Sequence, residues 1–464
     1  MSGYTALTEQ DLALMLAAIG VDAIEDLFDG IPAGVRLAGP IDLPPGAPEQ
    51  AVYAELRRLA ARNVSTEDEV CFLGAGMYDH YVPAIVDMLM SRSEFLTPYT
   101  PYQPEVSQGG LQVMFEYQTA ICELTGLPVS NASLYEGPSA VGAAAYLAKL
   151  ANKRPRVLVS RGVHPDSRET LRTLAEGYGT TIEEIALDDA VTDLDALRAA
   201  LSDDVSAVIL QQPNFLGAIE DVSAICAAAH EHGALAICAA DPLTLGVVEA
   251  PGNQGADVCV GEGQTLGNRL DFGGPSFGFF AATEKHLRAM PGRIAGETTD
   301  ADERRGFVLT LQTREQHIRR EKATSNICTS QALNALGGVV YLTWLGRRGL
   351  VELGELMLQR THYARTRLAA IDGVSTLHEQ PVVREFALRL DVGGLDAVGR
   401  VLDRCAAAGF NAGYALGRSY EEYEDGLLVA ITEQRSRADI DRFAAVLAEA
   451  VAAERALAPA EVAA

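Results

Sequence analysis

Short apolar runs alternate with amphipathic segments between Val157 and Ala239, and this alternation constrains the fold of the 464-residue chain more than any other feature. The runs lie at 157–159, 181–187, 207–210 and 235–239, and the segments between them predict helices at 166–177, 193–201 and 222–232. Such alternation is typical of a mostly parallel sheet with helices on both faces. We therefore predict an α/β fold with ligands at the carboxyl ends of its strands.

The flanking sequence predicts three regions. Residues 1–70 contain short amphipathic helices broken by proline loops and are predicted to form an N-terminal helical arm. The large α/β domain is expected to span 71–340. After a connecting helix at about 331–347, the remainder, 341–464, predicts a small α/β domain with strands at 385–390 and 427–431 and helices at 397–408 and 437–453.

Composition excludes several classes of function. A formal net charge of −26, from 63 acidic and 37 basic residues, argues against a nucleic-acid or anionic-membrane surface. No apolar stretch reaches the length of a membrane span, and the N-terminus lacks a secretory pattern, which predicts a cytoplasmic protein. The seven cysteines include no CxxC pair and are expected to be buried and reduced, and no histidine has metal-ligand spacing.

The residues after two adjacent apolar runs follow the layout of a pyridoxal-phosphate (PLP) enzyme, with one exception. Asp241 stands where such enzymes place the acid that pairs with the pyridine nitrogen. The next run, 256–260, leads into a glycine-rich loop where the Schiff-base lysine is expected, but that position falls near Gln264, whose amide cannot form an imine. The chain has four lysines, of which Lys149 and Lys153 end a predicted helix, Lys285 begins another, and Lys322 alone is ambiguous. We therefore predict that another polypeptide supplies the lysine.

Two segments suit ligand binding. Prolines hold residues 99–110 extended, and the side chains of Tyr99, Tyr102, Gln103, Glu105 and Ser107 favour a pocket wall, although a rigid crossover packed on the core is the alternative. The small-residue turn before the predicted helix at 139–152 suits a phosphate. The glycines at 74–76 and 261–267 depart from a dinucleotide fingerprint and more readily serve tight turns.

Three polar groups allow both structural and functional readings. Residues 314–322 fit an exposed helix with an ion pair between Glu315 and Arg319, but the following Thr324, Ser325 and Asn326 supply phosphate-binding chemistry at an expected helix start. His80, in a polar aromatic cluster, fits a structural or a functional histidine equally. His230 and His232 are expected to cap a helix.

Five motifs in one order resemble the alpha subunit of the split glycine cleavage system P-protein family. They are GAGMYDHY at 74–81, RSEFLTPYTPYQPE at 92–105, QPNFLG at 212–217, MPGR at 290–293, and the run 309–329 that contains LTLQ, REQH and NICT. The resemblance covers nearly the whole chain. It implies a fold-type-I PLP transferase architecture of the aspartate-aminotransferase kind, in which a beta subunit owns the missing lysine.

The resemblance also implies a function. An alpha-beta pair, usually doubled to an α2β2 heterotetramer, would hold PLP covalently on the beta subunit, decarboxylate glycine and pass the aminomethyl group to the lipoyl arm of the H-protein. Thr324, Ser325 and Asn326 would lie near the partner's PLP phosphate. Tyr99, Tyr102, Gln103, Glu105, Ser107 and His80 would surround glycine or the lipoyl arm. Two alternatives stay open: an autonomous PLP decarboxylase or aminotransferase using Lys322, and a non-catalytic regulatory paralogue.

Overall fold

The computed structural model of the chain describes residues 6–37 and 39–457 and divides into two units, residues 1–64 and residues 65–464. The first unit contains the helices Glu9–Ile19 and Glu49–Ala60, with the 3-10 turns Ile24–Phe28 and Ala33–Val35 between them. Thr8 begins the first helix with a capping box, in which its hydroxyl accepts from the Asp11 amide and the Asp11 carboxylate accepts from the Thr8 amide. The predicted domain boundaries at 70 and 340 stay predictions.

A seven-stranded sheet forms the centre of the second unit. Five of its strands are parallel neighbours, in the spatial order Val258–Glu262, Leu235–Ala240, Val205–Gln212, Arg156–Ser160 and Thr181–Ile185. Gly278–Ala282 pairs antiparallel with the first of these and carries Val129–Ser130 on its other side. Each apolar run in the alternating pattern is a strand of this sheet, so the predicted α/β fold is confirmed.

Helices cover both faces of the sheet because its strands are apolar on both sides. Val157, Val159 and Ile209 pack with the helix Gly137–Asn152 on one face, where Leu171 of Pro165–Gly177 joins them. The intervening Leu158, Val208 and Leu210 pack on the opposite face with Leu194–Ala200 and Val222–Glu231. Successive strand residues point to opposite faces, and this period of two separates the two cores.

A four-stranded antiparallel sheet forms a second core, in the order Val374–Thr376, Glu385–Leu390, Gly426–Ala430 and Tyr414–Ala415. The helices Leu395–Ala407 and Arg437–Arg455 pack against it. Before this sheet runs the helical stretch Ala332–Ala369, which Gly346 interrupts with φ 62° and ψ 175°. The predicted helix at 331–347 therefore ends near this break, and a second helical segment follows it.

The remaining elements connect these layers. They are the helices Ala84–Met90, Ser93–Leu96, Gln108–Thr125 and Gln316–Arg319, the hairpin of Ile294–Thr299 with Arg305–Thr310, and the short pairs Val70–Cys71 with Phe410–Asn411 and Leu187–Asp188 with Val191–Thr192. All seven cysteines are free, but Cys122 and Cys328 are only partly buried, so the prediction of burial is wrong for these two. In the ranges 6–37 and 39–457 no helix is both long and apolar enough to cross a bilayer.

Candidate functional site

A cavity of about 550 Å³ lies at the carboxyl ends of the central strands, where the parallel sheet predicts a ligand. Its walls include the loop 73–78, the helix start 136–138, the strand end 239–241, residues 261–262, and residues 384–385 of the small sheet. Further lining residues come from 164–167, 211–217 and 265–276. The cavity therefore joins the two sheets of the second unit, and each wall carries at least one polar side chain.

Gln264, near the position of the missing lysine, forms hydrogen bonds that hold the loop 74–78 in place. Its Oε1 accepts from the Tyr78 amide at 3.0 Å, and its Nε2 donates to the Tyr78 carbonyl at 3.1 Å and to the Asn268 carbonyl at 2.8 Å. The side chain is buried. A carboxamide is suited to this role because it offers a donor and an acceptor together, whereas an ammonium group has no acceptor.

Arg384 occupies the neighbourhood of Asp241. Its Nη2 lies 2.5 Å from a carboxylate oxygen of Asp241, and its Nη1 lies 2.5 Å from Nε2 of His80. The guanidinium carbon lies 3.3 Å from the centre of the Tyr78 ring, a cation–π contact, and only 3% of the side chain is exposed. Asp241, which was predicted to pair with a pyridine nitrogen, thus forms an ion pair with Arg384 of the same chain.

Glu385, the next residue, binds the same loop from the small sheet. Its two oxygens accept from the Ala75 amide at 2.8 Å and from the Tyr78 hydroxyl at 2.7 Å. Burial raises the pKa of the Glu385 carboxyl to about 7, although the Ala75 amide and the Tyr78 hydroxyl favour its charged form. The loop 74–78 is therefore held by the large sheet through Gln264 and by the small sheet through Glu385.

Two carboxylates occupy the helix start that the sequence assigned to a phosphate. Glu136 accepts from the Ser139 amide at 3.0 Å as the N-cap of Gly137–Asn152, and Glu262 accepts from the Gly137 amide at 3.0 Å. These amides and the positive end of the helix dipole are the groups that would hold an anion. Carboxylates already satisfy them, so the phosphate prediction at this helix start is wrong.

These contacts test whether the cavity of this chain fits PLP. No lysine lines it, carboxylates replace the phosphate seat, and Arg384 pairs with the acid expected to bind the ring nitrogen. Lys322, the ambiguous lysine, is exposed in a 3-10 turn, Arg320–Lys322, and does not line the cavity. The cavity does not fit the cofactor.

His80 is buried beside this cavity in a charged network. Its Nδ1 lies 2.6 Å from a Glu433 carboxylate oxygen, and its Nε2 faces Arg384. The adjacent Asp79 forms a buried ion pair with Arg435 at 2.8 Å. His80 therefore has two side-chain partners in the fold, and its predicted place beside glycine or the lipoyl arm stays a prediction.

A second polar cluster brings together two of the segments singled out in the sequence. The Tyr102 hydroxyl accepts from Arg293 at 2.9 Å, and the Tyr102 ring lies 4.9 Å from that of His317. The amide of Gly292, next to Arg293, donates to the Ser325 hydroxyl at 3.1 Å. The backbone amide of Thr324 donates to the Arg314 carbonyl at 3.1 Å. Tyr102 and Thr324–Ser325 thus meet around two arginines.

The charged run at 314–322 differs from the exposed helix that is one of its predicted readings. Arg314 and Glu315 are both buried, and Arg314 donates to the carbonyls of Met290 and Gly292. Glu315 lies 3.6 Å from Arg314, and no ion pair joins it to Arg319. The expected helix start at 324–326 is also wrong, because these residues form an irregular segment and the next helix begins at Ala332. Only the first two residues of the run are buried: residues 317–322 are exposed, and Gln316–Arg319 forms a short helix, so the exposed-helix reading holds for the later part of the run.

The other predicted pocket residues lie apart from the cavity. Tyr99 is 78% exposed and Tyr102 44% exposed; Gln103 and Glu105 are also exposed, and Ser107 is partly buried before the helix Gln108–Thr125. The cavity lining includes none of them. The assignment of these five residues to glycine or the lipoyl arm stays a prediction.

Sequence reasoning missed Arg384, Glu385, Glu262 and Arg293 as residues of these sites. Glu385 opens the predicted strand at 385–390 and Arg384 precedes it, while Glu262 follows the predicted run 256–260 and ends the observed strand Val258–Glu262. These positions at or beside strand ends were the available signal. The capping role expected for His230 is also wrong, since its Nε2 lies 2.8 Å from the Asp257 carboxylate.

The sequence of this chain is similar, over almost its whole length, to one family of known proteins. The family model described as "Glycine cleavage system P-protein" matches residues 2–447. A probable glycine dehydrogenase (decarboxylating) subunit 1 from Geobacillus kaustophilus is 49% identical over 95% of this chain and 97% of that protein. The same-named protein of Moorella thermoacetica is 48% identical, over 96% and 98%.

Solved structures extend these likenesses to the fold. A glycine decarboxylase (P-protein) of the glycine cleavage system, crystallised with an inhibitor, matches with a TM-score of 0.87 and 44% identity, over 96% of this chain and 99% of that one. A glutamate decarboxylase from Lactobacillus brevis matches with a TM-score of 0.67 at 14% identity, over 92% and 98%, which is a likeness of fold alone. The predicted fold-type-I architecture is confirmed.

Proposed function

This chain belongs to the glycine cleavage system P-protein family, and we propose that it acts as the lysine-free subunit of a two-chain glycine decarboxylase. The relatives named subunit 1 support a partner subunit, and their near-complete coverage supports an equivalent division of labour. In this proposal the partner holds PLP through its own lysine. When bound there, PLP supplies the electron sink for the loss of carbon dioxide from glycine.

The proposal rests on one observation: the cavity at the strand ends of this chain lacks both a Schiff-base lysine and a free phosphate-binding helix start. Gln264 stands near the lysine position, and its amide is committed to the Tyr78 backbone. Glu136 and Glu262 cap the helix start where a phosphate would bind. A PLP-dependent glycine decarboxylase that contains this chain therefore needs a second chain to supply a complete cofactor site.

The Tyr102–Arg293–Ser325 cluster is the part of this chain that we assign to the partner's active site. It presents a phenol, hydroxyls and two buried guanidinium groups, and the Nε atoms of Arg293 and Arg314 have no hydrogen-bond partner. In this proposal Thr324, Ser325 and Asn326 donate toward the PLP phosphate on the partner. Tyr99 and Tyr102 face glycine or the lipoyl arm, because phenols offer both an apolar wall and a hydrogen bond.

The wider assembly belongs to the same proposal. The aminomethyl group left after decarboxylation passes to the lipoyl disulfide of the H-protein, and two alpha-beta pairs associate as α2β2. In this proposal this chain covers part of the partner's active site around glycine and the entering lipoyl arm, and thereby excludes water from the reacting atoms.

Co-purification with a lysine-bearing P-protein subunit, followed by an assay of glycine-dependent carbon dioxide exchange, tests the proposal. We expect no exchange by either chain alone and restored exchange on mixing them with lipoylated H-protein. Exchange by this chain alone, with the cofactor linked to Lys322, would instead identify an autonomous enzyme. A stable pair without exchange would identify a regulatory paralogue.

Replacing Tyr102 by phenylalanine is expected to lower glycine decarboxylation by the assembled enzyme at least several-fold. The change removes the hydroxyl that accepts from Arg293 and leaves the ring in place. The matched control is Tyr363→Phe, because the Tyr363 hydroxyl also binds a charged side chain, Asp441, but between the helical stretch Ala332–Ala369 and the helix Arg437–Arg455. Unchanged kinetics for Tyr102→Phe, with the pair intact by size-exclusion chromatography, would contradict the pocket assignment.

A further inference from the structure

The strand-end cavity rejects PLP, yet it remains about 550 Å³ in volume, within the range of small-molecule sites. Apolar side chains such as Leu73, Met77 and Val141 form much of its lining. Its charged groups are mostly acidic: Glu136, Asp166, Asp241, Glu262 and Glu385 against Arg384. His164, which also lines it, accepts from the Asp166 amide through Nδ1, and burial lowers the pKa of its imidazole.

Arg384, the arginine that lines the cavity, forms an ion pair with only one of these acids. Arg384 pairs with Asp241 at 2.5 Å. Within the described ranges, neither Glu136 nor Glu262 forms a salt bridge with any lysine, arginine or histidine, although the two carboxylates lie close enough for Glu136 to add to the raised pKa of Glu262, which is caused first by burial. Two neighbouring carboxylates beside an apolar cavity favour a cation.

Thr265 supplies an independent sign of an absent ligand. It lines the cavity and is 2% exposed, and its Oγ1 has no hydrogen-bond partner. A buried hydroxyl without a partner costs free energy, and most such groups in folded proteins are satisfied by protein, water or ligand. The Thr265 hydroxyl therefore lacks a partner that a bound ligand would supply.

We propose that this cavity binds a small organic cation, an ammonium group on a compact apolar body. The ammonium lies between Glu136 and Glu262. Glu262 already accepts from the Gly137 amide, the Gln264 amide and the Ser276 hydroxyl, and Glu136 accepts from the Ser139 amide. Since a carboxylate offers about four lone-pair positions, each glutamate retains room for a contact with the ammonium. The body packs along Leu73, Met77 and Val141, and Thr265 contacts the polar part of the ligand. Within the described residues no group of three or more histidine, cysteine, aspartate or glutamate side chains is arranged to hold a metal, so the metal-ion alternative lacks a ligand set.

Benzylamine tests this proposal, with benzyl alcohol and benzoate as neutral and anionic probes that share its ring. The experiment is isothermal titration calorimetry at pH 8 on the full-length chain without its partner, since a PLP aldehyde on the partner would react with the amine. We expect saturable one-site binding of benzylamine and at least tenfold weaker binding of the other two probes. Equal affinity for benzoate, or no binding of benzylamine, would overturn the proposal.

Two substitutions locate the site. Glu262→Gln keeps an oxygen for the Gly137 amide but loses the acceptor for the Gln264 amide and the Ser276 hydroxyl, and it is expected to weaken benzylamine binding at least tenfold. Thr265→Val, which keeps the shape of the side chain, is expected to weaken binding several-fold. Glu176→Gln, at an exposed position on the helix Pro165–Gly177, is the matched control and leaves binding unchanged. If Glu262→Gln unfolds the chain by circular dichroism, Glu136→Gln takes its place. Undiminished binding in the folded glutamate variant would refute the assignment.

Discussion

Replacing Arg384 by alanine is expected to lower the free energy of unfolding by about 3–5 kcal/mol, the cost of leaving one member of a buried ion pair alone. Arg384 is the cationic partner of Asp241, packs on the Tyr78 ring and contacts His80. The alanine variant leaves the Asp241 carboxylate beside an apolar cavity without that partner. Urea denaturation followed by circular dichroism measures the change.

Two companion variants separate the ion pair from general loss of packing. Arg269→Ala removes an arginine whose pair with Asp87 is more than half exposed, and it is expected to cost about 0–1 kcal/mol. Asp241→Asn in the Arg384→Ala background removes the unpaired charge and should recover part of the loss. If Arg384→Ala costs no more than Arg269→Ala, the buried pair does not hold these loops together.

The large sheet could be predicted because its signal is local. Four of the five parallel strands are short and mostly apolar, and the edge strand Thr181–Ile185 has two glutamates between its isoleucines. Amphipathic segments separate the strands, so the alternation of the two kinds of segment locates them. Two of the four strands of the small sheet were predicted for the same reason, at 385–390 and 427–431, whereas Val374–Thr376 and Tyr414–Ala415 were missed because they are only three and two residues long. The absence of a Schiff-base lysine near Gln264 could also be predicted from local sequence, because the loop after the strand contains no lysine.

The contacts of the cavity could not be predicted because they join distant residues. Arg384 reaches Asp241 only after the two sheets have packed, and a strand-initial arginine is usually solvated. Glu262 caps the helix Gly137–Asn152 from a different strand, which reverses the charge expected at that helix start. Arg314 likewise meets the Met290 and Gly292 carbonyls across a turn, and a charged run by itself indicates an exposed surface.

Replacing Gln264 by lysine is expected to destabilise the chain by about 2–4 kcal/mol without creating a cofactor site. The amide makes three hydrogen bonds, and its Oε1 is the acceptor for the Tyr78 amide. A lysine has no acceptor, so the Tyr78 amide loses its partner, which costs about 1–3 kcal/mol where the group is buried, in addition to the lost donor contacts. Urea denaturation checks the stability.

Absorbance spectra after incubation with PLP and borohydride check the second half of this prediction. We expect no stoichiometric adduct, because Glu136 and Glu262 would face the phosphate and Arg384 is already paired with Asp241. Gln50→Lys, at an exposed position on the helix Glu49–Ala60, reports the background reaction of a surface lysine. A single adduct mapped to position 264, well above that background, would contradict this prediction. It would mean that the missing amine is the one obstacle to cofactor binding, and that the carboxylates and Arg384 rearrange when PLP binds.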